Sequence, residues 1–130
     1  FANAPVAAVH ALAYPVGGIF HVPHGLSNAL VLPHVLRFNA PAAAPLYAEL
    51  AAIVAPSATG SDEARTHALI AEIDRLIVAT GIPRTLREVG IGEGDLPRMA
   101  SDAMLQTRLL VNNPREVTEA DALAIYRQAW

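Results

Sequence analysis

Cysteine is absent from the 130 residues. That excludes a disulfide scaffold, a cysteine-based zinc ribbon and a thiol nucleophile. Charge is scarce: Asp, Glu, Lys and Arg make up 16% of the chain, where about a quarter is ordinary for a soluble domain. The net charge is −3, so there is no basic footprint for nucleic acid. No apolar run reaches the length of a membrane span, and no signal peptide is recognisable. A cytoplasmic location without membrane contact is the expectation. No period-two strand pattern appears. No glycine-rich phosphate loop follows a strand, so cofactor-binding residues for a dinucleotide are expected outside this chain. Gly90-Ile-Gly92-Glu-Gly94 reads as a turn. Ser27 and Ser101 have no base and orienter around them.

What the chain has in abundance is apolar. Hydrophobic residues make up 53%, enough for one domain with a real core, and part of that surface is expected to pack on something outside the chain. The opening Phe1-Ala-Asn-Ala-Pro-Val-Ala-Ala-Val reads like core sequence. It predicts a fragment with a substantial part upstream, the alternative being a trimmed terminus.

Helix signals dominate. Residues 3–13 read as a helix buried all round, ended by Pro15, Gly17 and Gly18. Residues 19–23 read as a connector. A second helix runs from Pro23-His24-Gly25 to about Phe38, kinked or split at Pro33 and closed by Asn39-Ala-Pro41. A third covers 43–55, with Leu46, Tyr47, Leu50, Ile53 and Val54 on its apolar stripe. Ser61 caps a fourth, which carries Leu69, Ile73, Leu76 and Ile77 and stops at Gly81. Residues 82–90 are irregular or form a single turn. A fifth helix spans about 95–110, and Asn112-Asn113-Pro114-Arg115 breaks the chain. Thr118-Glu-Ala-Asp121 resembles a capping box and opens the last helix, with Leu123, Ile125 and Tyr126, ending at Trp130. Short Pro/Gly connectors between alanine- and leucine-rich helices predict an all-α bundle.

The densest chemistry is His10-Ala-Leu-Ala-Tyr14-Pro-Val-Gly-Gly-Ile-Phe-His21-Val-Pro-His24-Gly25, three of the five histidines in fifteen residues. Imidazole is the commonest metal ligand, and polar groups rising from an apolar wall suggest a buried site. His10 and His24 lie fourteen apart across a helix end, a turn and a helix start. They either converge on one metal ion or are hydrogen-bonded histidines near a core. His21 reads as exposed or outside the ligand set, and His34 and His67 as ordinary polar positions. Two imidazoles cannot close a catalytic metal site, which needs three or more protein ligands. The remaining ligands are expected upstream. The polar loop 112–115 is either a plain interhelical connection or a rim on the substrate side. From the residues alone, a non-catalytic helical interaction module is the competing reading.

The run Asn3-Ala-Pro5, His10, Pro15, Gly17, Pro23-His24-Gly25, Asn28-Ala29 and Leu32-Pro33-His34-Val35 resembles the signature of iron-containing (group III) alcohol dehydrogenases. The ending, Asn113-Pro114-Arg115 before a short helix, is similar to that family's C-terminus. The resemblance implies the C-terminal all-helical domain of a two-domain dehydroquinate synthase-like fold, with an N-terminal α/β domain that binds NAD(P). It implies a divalent metal, iron or zinc, in the cleft between the domains. His10 and His24 would be the last two of four ligands, after an Asp and a His from an earlier segment. The activity implied is interconversion of an alcohol with an aldehyde or ketone, or the related maleylacetate reductase reaction. This chain alone would be inactive, and a homodimer is one possible assembly. Many family members carry a second His four residues after the first ligand; here the position holds Tyr14. A phenol with its pKa near 10 can donate to a substrate oxygen but is a poor base at neutral pH. Tyr14 either does that or simply packs. Phe1, Val6 and Phe20 are the candidate apolar lining on the substrate side.

Overall fold

The structure is a computed structural model, and it describes residues 7–130. Phe1 and Val6, the Asn3-Ala-Pro5 part of the signature and the start of the first expected helix lie outside the described residues. Among the described residues six helices follow one another: α1 (Ala7–Phe20), α2 (His24–Val54), α3 (Asp62–Thr80), α4 (Leu96–Ala103), α5 (Thr107–Leu110) and α6 (Glu119–Ala129), with 3-10 turns at Leu86–Val89 and Glu93–Asp95. No strand occurs among the described residues. The architecture is all-helical, as the Pro/Gly punctuation predicts.

The end of α1 differs from expectation. The helix runs on through Pro15, Gly17 and Gly18 to Phe20. An internal proline removes one main-chain bond and crowds the preceding turn. Here Pro15 and Val16 are themselves buried, so core packing holds the helix together past the break. It stops where His21 adopts φ 58°, with its N–H donating to the Gly17 carbonyl at 3.0 Å. That is a left-handed C-terminal cap, built on histidine instead of the usual glycine. Gly17 has a different job: a Cβ there would stand 3.3 Å from the Val22 carbonyl oxygen and 3.6 Å from Ser27 Oγ, whereas one on Gly18 would meet nothing within 4 Å. The bare backbone at Gly17 lets the corner fold tightly onto α1. Ser27 secures that corner, its hydroxyl lying 3.1 Å from the Val22 carbonyl and 3.0 Å from that of Pro23.

The second and third expected helices are one helix. α2 spans 31 residues with Pro33, Pro41 and Pro45 inside it. Proline costs about 3 kcal/mol in a helix interior, yet Asn39-Ala-Pro41 does not close this one. Its buried face is continuous: Leu36, Asn39, Ala43, Tyr47 and Ala51 line up at three- and four-residue steps. Leu36, Ala43, Tyr47 and Ala51 pack on Leu69 and Ile70 of α3. Of the apolar stripe expected over 43–55, only Tyr47 is buried; Leu46, Leu50, Ile53 and Val54 are exposed, Ile53 at 79%. The small alanines face the neighbouring helix because they allow close approach, and the larger aliphatics are left outside.

α3 starts and stops as expected. Ser61 Oγ accepts from the Ala64 N–H, and Gly81 ends the helix with φ 74°. Its apolar set is only partly inward: Leu69 is buried, while Leu76 is exposed. The expected fifth helix is broken into α4 and α5. α4 ends at Ala103, and Gln106, whose N–H bonds back to the Ala103 carbonyl, precedes α5; both short pieces lie against α1. The residues around 104–106 carry no glycine or proline to announce the break. Thr118 and Asp121 form a reciprocal capping box at the start of α6.

The main core gathers Val9, Leu12 and Val16 of α1, Leu30, Val31 and Val35 of α2, Leu96 and Met99 of α4, and Ile125 and Tyr126 of α6. The Tyr126 hydroxyl donates to the Leu12 carbonyl at 2.6 Å inside this core. α1 is therefore gripped from beneath along the stretch that carries His10 and Tyr14.

Candidate metal centre

α1 is not buried all round. Val9, Ala11, Leu12, Ala13, Pro15 and Val16 face the core, and His10, Tyr14 and Gly18 form an exposed stripe one helical turn apart. The spacing of four places them on one face. His24, at the first position of α2, is also exposed. The corner at 21–23 brings it to the same face, where the His10 and His24 rings lie parallel (6° between planes) with centroids 6.0 Å apart. Two imidazoles sharing a zinc-like ion at about 2.1 Å per bond hold their centroids about 5 Å apart. The observed centroid spacing is about 1 Å wider than that, and the parallel rings must turn before their in-plane lone pairs meet at one ion.

The pair fits a metal in chemistry. Neutral imidazoles suit iron and zinc. The His24 Nε2 lies 3.2 Å from a neutral partner, the Asn28 side-chain nitrogen, and among the described residues the Asn28 Oδ1 is buried without a hydrogen-bond partner. Among the described residues, no third His, Cys, Asp or Glu joins the pair. The chain offers half of a ligand set. The apolar wall expected around the histidines lies behind them, in the core, and the rings themselves stand on the surface.

The other candidates separate clearly. His21 is exposed and works through its backbone, as the cap of α1. Tyr14 is 63% exposed and lies one turn beyond His10. It does not pack into the core, and with Pro15, Gly18, Ile19, Asp102, Leu105 and Gln106 it lines a shallow recess beside the histidine face. Phe20 is half-buried against the main core. His67 is exposed. His34 is more than an ordinary polar position: its Nδ1 is buried without a partner, and burial, reinforced by Arg37 and opposed by Asp74, holds its pKa below the usual 6.5. Arg37 itself is ion-paired with Asp74 of α3.

Spacing could not reveal the role of Asn39 and Asn113. Their side-chain amides pair reciprocally, Asn39 Nδ2 donating to Asn113 Oδ1 at 3.0 Å and Asn113 Nδ2 to Asn39 Oδ1 at 2.8 Å. The partners lie 74 residues apart. The only sequence hint is a polar asparagine at a position that continues the buried face of α2.

The class this fold defines is an all-helical domain whose distinctive polar feature is a pair of imidazoles at a helix corner. The family described as Fe-containing alcohol dehydrogenase, C-terminal, matches residues 1–130, and the chain belongs to that family. It is 40% identical over its whole length to long-chain-alcohol dehydrogenase 1 of Geobacillus thermodenitrificans, covering 33% of that protein. It is also 40% identical over its whole length to 1,3-propanediol dehydrogenase of Klebsiella pneumoniae, covering 34% of it. The crystal structure of a 1,3-propanediol oxidoreductase superposes with a TM-score of 0.89 at 40% identity, over 95% of this chain and 32% of that one. The chain thus spans about a third of the length of the curated relatives it matches.

Proposed function

We propose that this chain is the metal-binding helical half of an NAD(P)-dependent oxidoreductase that interconverts an alcohol with an aldehyde or ketone. His10 and His24 supply two ligands to a divalent ion, iron or zinc. An N-terminal α/β domain supplies the remaining ligands and the nicotinamide cofactor. The observation that carries this reading is the proximity of the two imidazoles, centroids 6.0 Å apart, on an exposed face of a chain that belongs to this family.

A divalent ion at this place would act as a Lewis acid on the substrate oxygen. This chain's own contribution is positional. The rigid core beneath α1 fixes His10, and the Gly17 corner fixes the start of α2 and so His24. Tyr14 stands on the same face and offers a phenol O–H that can donate to a substrate oxygen, while a phenol is a weak proton acceptor near neutral pH. The apolar recess beside Tyr14, with Ile19 and Leu105, suits the carbon chain of a small alcohol. Docking of the α/β domain would cover the exposed face and exclude water from it.

The test uses the complete polypeptide. Metal content and alcohol-dependent NAD(P) reduction are measured for the parent, His10→Ala and His24→Ala. Each variant is expected to lose both metal and turnover. Retention of full metal and turnover by both variants would overturn the assignment. A complete protein that binds a protein partner through this domain and shows no turnover would favour an interaction module instead.

A further inference from the structure

The polar loop at 112–115 takes no part in the proposed chemistry, yet it makes the densest long-range hydrogen bonding in the described structure. The Asn113 amide uses both its oxygen and its nitrogen. Its Oδ1 accepts from Asn39 Nδ2 at 3.0 Å and, at a longer 3.4 Å, from the Ala8 N–H. Its Nδ2 donates to Asn39 Oδ1 at 2.8 Å and to the Arg115 carbonyl at 2.6 Å. Asn39 is fully buried on α2, and burying an amide is costly unless its groups are paired. Arg115 reinforces the tie, stacking its guanidinium 4.1 Å over the Phe38 ring and donating to the Phe38 carbonyl at 2.7 Å.

One side chain therefore joins the first described turn of α1, the middle of α2 and the loop before α6. Ala8 shares a helical turn with His10. His10 is bracketed by two tertiary bonds to α1: Asn113 at Ala8 and Tyr126 at Leu12.

We propose that Asn113 is a positioning residue for the metal pair: with Asn39 it fixes the first turn of α1 against α2, and so the direction in which His10 presents its ring to His24. This rests on the assignment of His10 and His24 as ligands. It gives the Asn-Pro-Arg segment a role at the metal without contact to it. Groups hydrogen-bonded directly to metal ligands typically change metal affinity about 10- to 100-fold when removed; Asn113 acts one step further away, through the backbone of α1, and is expected at the low end of that range.

The experiment uses the complete polypeptide, stripped of metal and titrated with Co²⁺ against a chromophoric chelator. Asn113→Ala is expected to bind Co²⁺ about 10-fold more weakly and to shift its visible absorption bands. Asn39→Ala removes only the amide pair and should weaken binding less, and the double variant should be no worse than Asn113→Ala alone, which already breaks every bond of the tie. Ser61→Ala, which removes the α3 cap and has no link to α1, should keep the parent affinity and spectrum. The proposal is overturned if Asn113→Ala keeps the parent affinity and spectrum, or if Ser61→Ala weakens binding equally. His10→Ala in the same titration separates the two claims. If it loses Co²⁺ while Asn113→Ala does not, only the positioning role fails. If His10→Ala retains Co²⁺, the ligand assignment fails and the positioning role with it.

Discussion

Replacing Tyr126 by Phe tests how α1 is held under the histidine face. Tyr126 is fully buried, and its hydroxyl donates to the Leu12 carbonyl at 2.6 Å. Leu12 lies midway between His10 and Tyr14. The substitution removes one oxygen and leaves the ring packed, so no large cavity term enters. Losing a buried hydrogen bond, with the carbonyl left short of a partner, costs about 1.5 kcal/mol. Tyr126→Ala would add a cavity and cost about 3–5 kcal/mol. A loss of about 1.4 kcal/mol corresponds to a tenfold change in an opening equilibrium. Amide hydrogen exchange over α1 in the complete protein should therefore accelerate about tenfold in Tyr126→Phe, with the exposed end of α2 unchanged. A second signature is alkaline. Burial, with a smaller push from Asp102, raises the Tyr126 phenol far above its usual 10.0. The unfolded chain releases that proton near pH 10 and the folded chain keeps it. Stability therefore falls as pH rises past 10, and Tyr126→Phe should lose this part of the alkaline dependence. Parent-like exchange of α1 amides in Tyr126→Phe would refute the reasoning.

Other expectations follow from single observations. His21 caps α1 with φ 58°, so His21→Gly should relieve backbone strain, stabilise by up to about 1 kcal/mol and leave metal content unchanged; a loss of metal would make His21 a ligand. Gly17→Ala should weaken metal retention by pushing the Val22 carbonyl, 3.3 Å from the new Cβ, and Gly18→Ala should not; equal behaviour in metal analysis would contradict the tight corner. His34 is held below its usual 6.5, chiefly by burial. The unfolded chain takes up that proton first as pH falls, so stability should be full above about pH 6.5 and decline below it. The urea midpoint compared at pH 8 and pH 5 should show a smaller drop in His34→Gln than in the parent.

Local chemistry in the sequence announces several of these elements. Ser61, Thr118 and Gly81 mark helix ends because capping is decided within four residues, and the structure keeps all three. The start of α2 after the corner is legible from Pro23, while the end of α1 is not: the helix runs through Pro15, Gly17 and Gly18 and stops at His21. Other features depend on partners far along the chain. Pro33, Pro41 and Pro45 stay inside one helix because α3 and the main core pack along it, which propensity cannot report. Leu46, Leu50 and Ile53 have the spacing of a core stripe, yet the alanines and Tyr47 occupy the interface. Ala, Val and Leu dominate α1, so its sequence reads as buried on every side. Only three-dimensional packing distinguishes the His10–Tyr14–Gly18 stripe as its exposed face. The Asn39–Asn113 pair spans 74 residues, and its one local trace is an asparagine on the buried face of α2.

The central claim is that His10 and His24 bind one ion. X-ray absorption at the metal edge of the complete protein reads the imidazoles around that ion directly. Imidazole back-scattering is expected in the parent and should fall in His10→Ala and in His24→Ala, with metal occupancy falling alongside. A bound ion whose imidazole signal and occupancy are untouched by both substitutions would contradict the claim.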